Sequence, residues 1–360
     1  MEKEMNGVNE TSHFRMPAEW EHHDATWLCW PANRTDWPGK FEPIPWVFAE
    51  MAKKLSEGEI VRIIVQSVEH EKKVRLILKQ QGADLQRMEF FRFPTNRGWT
   101  RDMGPIFTQR KPENDIAVLR FRFRAWSKYS DWKKDDRVHV RAAKALKLPC
   151  VPVKYKGEDV ELEGGSIDVN GNETVLTTEE CLLHPDIQVR NPEFTREDYE
   201  GMLKRYLGIE KVVWLGNGIA GDDTHGHVDD LCRFVNTSTV VLAEESNPAD
   251  VNYKPLQENK ERLQGIRLAH GEKLAVISLP MPAPLYFNGQ RLPASYANFY
   301  IGNAVVIVPT FNDSNDRTAL GILSELFPDK KVIGIHAVDL VLGQGTLHCL
   351  TQQQPSPRIQ

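Results

Sequence analysis

The chain has 360 residues, 41% hydrophobic and 26% charged, with a formal net charge of −5. These proportions suit a globular protein, and the acidic balance argues against nucleic acid as a partner, which would call for a basic patch. No apolar run approaches the roughly 20 residues needed to cross a bilayer, so no membrane partner is expected. The opening Met1-Glu2-Lys3-Glu4-Met5-Asn6 has no apolar signal-peptide core, which makes a cytoplasmic location the expectation.

Residues 1–15 are polar and read as a mobile N-terminal tail. A strand over 25–30 is halted by Pro31. Residues 44–54 carry apolar residues at helical spacing, marked by Trp46, Val47, Met51 and Leu55. A second apolar strand over 60–65, a helix over 69–81 and a strand over 88–93 follow. A pattern of two strands, a helix and a closing strand then recurs. Its first copy covers strands at 106–108 and 116–123, a helix at 137–146 and a strand at 151–153. The next copies place strands, helix and strand at 166–169, 174–177, 195–207 and 211–215; at 231–236, 239–243, 255–268 and 273–279; and at 299–301, 304–308, 315–326 and 331–335.

With the N-terminal strand–helix–strand, this makes five units of about 60–70 residues. Units that bury their faces against one another favour radial closure. The expectation is an α/β fold, a five-bladed propeller of pseudo-fivefold ββαβ-like repeats, formed as one catalytic domain over residues 1–360. The turns Val169-Asn170-Gly171-Asn172 and Ile301-Gly302-Asn303 occupy equivalent places in two units and support the repeat. A plain α/β sandwich with merely alternating elements is the competing arrangement.

Cys29, Cys150, Cys181, Cys232 and Cys349 are odd in number and scattered, so neither a disulfide frame nor a cysteine zinc site is expected. The densest polar stretch is residues 221–230, with Asp222, Asp223, Asp229, Asp230, His225 and His227 in ten positions. His227-Val228-Asp229 on an extended chain would send both side chains to one face, putting an imidazole beside a carboxylate for acid–base work. Asp222 and Asp230 read as residues of a polar turn. Three further clusters enter successive units: Trp99-Thr100-Arg101-Asp102-Met103-Gly104-Pro105, Glu161-Leu162-Glu163-Gly164-Gly165 and Gly343-Gln344-Gly345-Thr346-Leu347-His348-Cys349. Taken alone, Asp102 reads as an exposed ion-pair partner of Arg101, and Glu163 as a solvated turn residue.

A lone cysteine is more often a core residue, but Cys349 sits in a Gly-flanked strand entrance opposite the His227–Asp229 pair. Several carboxylates, one thiol and one imidazole suit a cationic electrophile such as guanidinium, whose fork carboxylates grip bidentately. A thiolate is the sensible attacker near neutral pH. The surrounding carboxylates would raise the thiol's pKa in the empty site and a bound cation would lower it again, giving substrate-assisted ionisation.

With these residues in place, the chain resembles the agmatine deiminase and bacterial-type peptidylarginine deiminase family of the guanidine-modifying (pentein) superfamily. The resemblance runs from Met16-Pro17-Ala18-Glu19-Trp20, Ala25-Thr26-Trp27 and Trp30-Pro31 through the Trp99 to Pro105 cluster and Glu163-Gly164-Gly165. It continues with Asp222-Asp223-Thr224, Gly226-His227-Val228-Asp229 and His348-Cys349, the latter followed by Thr351-Gln352-Gln353. It implies a five-bladed α/β propeller and attack by Cys349 on the guanidinium carbon. It implies proton transfer by His227, and Asp102 and Asp229 on the guanidinium nitrogens. Asp223 would contact the substrate's far end, Glu163 would lie beside the His, and Trp99 and Gly345 would border the substrate.

The implied substrate is a small cationic guanidine, agmatine, converted without a cofactor or metal to N-carbamoylputrescine and ammonia; peptidyl-arginine is the alternative, and a homodimer is left open. His225, Arg97-Gly98 and the Gly343–Thr346 loop depart from the family's usual residues, and all three are expected at the rim. A metal-dependent hydrolase using His225, His227, Asp223 and Asp229 and a non-enzymatic binding scaffold are the readings from other classes.

Overall fold

The computed structural model describes residues 13–112 and 115–357. The expected mobile tail lies outside this range up to residue 12. His13–Arg15 corrects its end: these residues form a strand paired antiparallel with Gln109 to Lys111.

Five sheets share one topology. In four of them an antiparallel hairpin is followed by a helix and then by a strand parallel to the hairpin's second strand, and the fifth keeps that order with an antiparallel pair drawn from the two ends of the chain. This order follows from connection length, since a short turn allows only antiparallel neighbours and a parallel return needs a crossover. The first such sheet after the N-terminal segment contains Ile106–Lys111, Asp115–Arg120 and Cys150–Pro152, with His13–Arg15 on its outer edge. Asp168–Val169, Thr174–Thr178 and Lys211–Leu215 form the next. Cys232–Asn236, Thr239–Glu244 and Ala275–Pro280 follow, and then Tyr300–Ile301, Val305–Thr310 and Lys331–His336. The fifth sheet joins the two ends of the chain: Thr351–Pro355 pairs antiparallel with His23–Cys29, which runs parallel to Ile60–Val65, itself parallel to Met88–Arg92.

The crossover helices carry their own punctuation. Arg196–Leu207 starts at Thr195 in a reciprocal capping box with Asp198 and ends at Gly208, whose φ of 70° is the left-handed stop that glycine tolerates. Where sequence periodicity overran, turn chemistry is the reason. The helix expected over 255–268 is Tyr253–Leu263, because Gly265 turns the chain at a φ of 71°. The strand expected over 116–123 ends at Arg120, after which Arg122 makes only a single bridge with Glu161.

The central strands are rich in buried apolar residues, as expected where helices or neighbouring sheets cover both faces. The largest core cluster joins the sheet of the two chain ends to that of Val305–Thr310, with Trp27, Trp30, Trp37, Phe48, Phe299 and Tyr300 buried in it. Among the described residues no helix is long and apolar enough to cross a membrane.

Short one-turn segments precede the first strands. Thr100–Met103 leads into Ile106–Lys111, Gly164–Ser166 into Asp168–Val169, and Val228–Asp230 into Cys232–Asn236. Side chains at such turns stand outside the sheets and can face a shared space.

Candidate active site

A cavity of about 270 Å³ opens where these turns meet, with Asp36, Arg97, Trp99, Asp102, Asp223 and Cys349 on its wall. Backbone contacts fix its floor. Gly104 allows a tight stop after Asp102, since a Cβ there would stand 2.2 Å from Thr100 O, and its own N–H donates to that oxygen at 2.8 Å. The Arg101 N–H donates to Cys349 O at 3.0 Å, tying the Asp102 turn to the Cys349 segment.

Cys349 is 4% exposed, and its Sγ receives a hydrogen bond from Asn298 Nδ2 at 3.1 Å and lies 3.6 Å from Asp229 Oδ2. Burial, then the Asp229, Asp230 and Asp102 carboxyls, push the thiol well above its usual range, with Asn298 opposing. This agrees with the expected direction for an empty site.

Asp102 accepts from Trp126 Nε1 at 2.9 Å and Gly165 N at 3.2 Å. Burial raises its carboxyl to about 6; His227 opposes this, while Asp229 and Glu163 add to it. Arg101 turns away to a buried pair with Glu19 at 3.0 Å, so the expected exposed Arg101–Asp102 pair does not exist.

His227 is fully buried. Its Nδ1 stands 3.7 Å from Asp102 Oδ1 and 4.0 Å from Asp229 Oδ1, and its Nε2 stands 3.6 Å from Glu163 Oε2. Neither ring nitrogen has a hydrogen-bond partner among the described residues. Burial disfavours its cationic form, but Asp102, Cys181 and Glu163 outweigh that, and the ring is held well above its ordinary pKa.

Residues 227–229 are not extended as the sequence pattern implied. Val228–Asp230 is a 3₁₀ turn, and curvature rather than period-two alternation brings His227 and Asp229 to one side. Asp222 builds that curve by accepting from the N–H groups of Thr224, Gly226 and His227 at 2.8, 2.7 and 2.9 Å, in keeping with its expected role in a turn.

Asp230, read as part of a polar surface turn, is 2% exposed and accepts from Asn298 Nδ2 at 2.9 Å. Burial, then Asp229 and Asp222, hold its carboxyl well above the usual range.

Glu163 is fully buried rather than solvated. Arg190 Nε reaches both of its oxygens at 3.2 Å; burial raises its carboxyl, but Arg190 and His227 together hold it low. Gly165 makes room for the imidazole, since a Cβ there would lie 2.5 Å from His227 Nδ1.

At the outer end, Asp223 accepts from Lys128 Nζ at 2.5 Å and Tyr129 Oη at 2.7 Å. Trp99 packs on Trp37 at 5.5 Å between ring centroids. Gly345 lets the Cys349 segment pass beneath Trp99: a Cβ would come within 2.9 Å of the indole and 3.1 Å of Sγ.

Arg97 reaches the cavity rim as expected, but His225 does not. At a φ of 64° it turns towards Glu180, with its Nδ1 at 3.5 Å, and stacks edge-on against His184. The metal-hydrolase reading fails on the same geometry, because His225 and Asp223 face different partners. Neither of the two groups of three potential ligands among the described residues joins them to His227 and Asp229.

Asn298, Trp126, Glu19 and His348 were not assigned roles from sequence. Glu19 and His348 stood inside quoted motifs, whereas nothing local marked Asn298 or Trp126.

Together these residues form a buried thiol–imidazole–carboxylate cluster on a mixed α/β fold. Residues 15–355 match the Porphyromonas-type peptidyl-arginine deiminase family, and the chain belongs to it. It is 36% identical to an agmatine deiminase of Pseudomonas aeruginosa (strain LESB58) over 96% of each chain. It is similar to the structure of the Enterococcus faecalis agmatine deiminase, with a TM-score of 0.86, 32% identity and coverage of 96% and 97% of the two chains. It is also similar to a Cys-to-Ser variant of the C. jejuni agmatine deiminase with substrate bound, with a TM-score of 0.85, 31% identity and coverage of 98% and 99%.

Proposed function

We propose that this protein is an agmatine deiminase that hydrolyses the guanidinium of agmatine to N-carbamoylputrescine and ammonia through an amidino-cysteine intermediate. The observation that carries this reading is the placement of Cys349 Sγ 3.6 Å from Asp229, on the wall of a cavity it shares with Asp102, in a chain whose relatives are agmatine deiminases.

Asp102 and Asp229 grip the guanidinium nitrogens and present its carbon to Cys349, an orientation effect. The cation offsets the carboxylates that hold the thiol protonated, so binding promotes loss of the Sγ proton to solvent. The thiolate adds to the central carbon. His227 donates a proton to one –NH₂ group, and the C–N bond breaks to release ammonia, leaving the amidino-thioether. His227 then takes a proton from water as its oxygen adds to the same carbon. Collapse of that adduct breaks the C–S bond, passes the hydroxyl proton to the departing sulfur, restoring the thiol, and yields the ureido product. Glu163 holds His227 in place, Trp99 and Gly345 border the substrate, and Asp223 meets its distal part.

We also infer that the five sheets stand around one axis as a propeller and form a single catalytic domain, with the turns before the first strands at its centre. The pairing of Thr351–Pro355 with His23–Cys29, which puts both chain ends in one sheet, supports closure. Five unpaired cysteines suit the reducing cytoplasm.

Ammonia release from agmatine, free arginine and a peptidyl-arginine tests the assignment. Agmatine is expected to be turned over best, and turnover of the peptide alone would overturn the reading.

A further inference from the structure

His348 lies beside the proposed nucleophile in the chain, yet it is not one of the residues that line the cavity. Its Nδ1 stands 2.6 Å from Asp229 Oδ2 and its Nε2 stands 2.8 Å from Glu19 Oε2. All three side chains are buried, at 1%, 0% and 4% exposure.

A neutral imidazole carries one N–H and can donate to only one of two carboxylates. Glu19 cannot act as the donor. Its oxygens already accept from Arg101 Nη2 at 3.0 Å, Arg233 Nη2 at 3.0 Å and Ile301 N at 2.8 Å, surroundings that hold it ionised. Arg233 in turn binds Asp168 at 3.0 Å. The buried cluster therefore holds three carboxylates (Glu19, Asp168, Asp229) against two guanidiniums, and a third cation balances it.

We propose that His348 is a positioning residue held as a doubly protonated imidazolium, which keeps Asp229 ionised and aims its free oxygen at the substrate. That oxygen, Oδ1, is buried and has no hydrogen-bond partner among the described residues, as a group reserved for an incoming donor would be.

The other titratable groups facing Asp229 are His227, Asp230, Asp102 and Cys349. Of these His227 brings positive charge but must give up a proton during the reaction, and Arg233, the other cation acting on Asp229, spends its hydrogen bonds on Glu19 and Asp168. A second cation that never reacts keeps Asp229 charged through that step. Burial alone would raise the Asp229 carboxyl, but His348, then His227 and Arg233, hold it below the usual range. The Tyr300 ring lies 6.5 Å from the imidazole, tilted by 44°.

The inference rests on the agmatine deiminase reading for Asp229 but is tested separately from it. In nitrogen NMR of the histidine-labelled wild type, His348, assigned by its loss in H348Q or H348N, should show both ring nitrogens protonated across the active pH range. A singly protonated ring would overturn the proposal, whether or not agmatine is the substrate.

In kinetics, H348Q should raise KM for agmatine about tenfold or more, lower kcat less, and shift the acidic limb of kcat/KM upward and steepen it, because a buried Asp229 without its imidazolium comes to take up a proton alongside Asp102. E19Q should move that limb the same way by less. A merely structural role would reduce the active fraction with the limb unmoved, and that outcome would also overturn the proposal. Failure of the wild type to release ammonia from agmatine would defeat the functional reading and leave the NMR result standing.

Discussion

Asp229 and Asp223 lie only six positions apart in the chain but occupy opposite kinds of environment. Asp229 is fully buried, held by an imidazole at 2.6 Å, with its second oxygen open. Asp223 sits at the cavity wall with both oxygens engaged, by a Lys128 that is 39% exposed and by Tyr129. The deep carboxylate has no water to compensate it, so losing its charge or its partner leaves unpaired groups in a low-dielectric site. The outer pair is screened, and its cation can swing into solvent when a ligand arrives. The inner end should therefore fix the reaction, and the outer end should tune which tail is accepted.

The largest effect is expected at the nucleophile. C349S should lower kcat by at least about 10⁴-fold with folding intact, since a hydroxyl in this acidic setting lacks activation. Steady-state ammonia release together with circular dichroism checks this.

D102N should lower kcat/KM by about 10²- to 10³-fold by removing one charged grip on the guanidinium. The wild-type profile carries the same information. The free-enzyme carboxyl titrates near 6, so kcat/KM should fall as pH drops through that value and Asp102 gains a proton. D102N should lose that part of the acidic limb, and a limb unchanged in D102N would assign it elsewhere.

The smallest effect belongs to the rim. D223N should raise KM for agmatine about threefold to fivefold and leave KM for an alkylguanidine with an uncharged tail unchanged. An equal rise for both substrates would place Asp223 in the scaffold rather than the substrate path.

The five-unit pattern was legible because alternation and helical spacing are local properties. The strand over Ile60–Val65 and the helix over Asn315–Leu326 fell where their side chains dictated. That Cys349, His227, Asp229 and Asp102 come together was legible because each stood in a polar cluster at a strand entrance. What failed was curvature and depth. An Asp-rich, Gly-rich stretch reads as a solvated loop, yet the fold buries Asp230 and winds Val228–Asp230 into a 3₁₀ turn. The His348–Glu19 contact spans 329 positions and the Asn298–Cys349 contact 51, distances over which no local pattern reports contact. His225 was expected at the rim because of its neighbours, but a left-handed backbone turned it towards Glu180.

The covalent step is the centre of this account, and rapid-quench mass spectrometry of the enzyme turning over agmatine tests it most directly. An amidino adduct on the peptide bearing Cys349, forming and decaying within turnover and absent from C349S, is the expected result. Steady ammonia release with Cys349 unmodified at every time point, or an adduct on another residue, would contradict it.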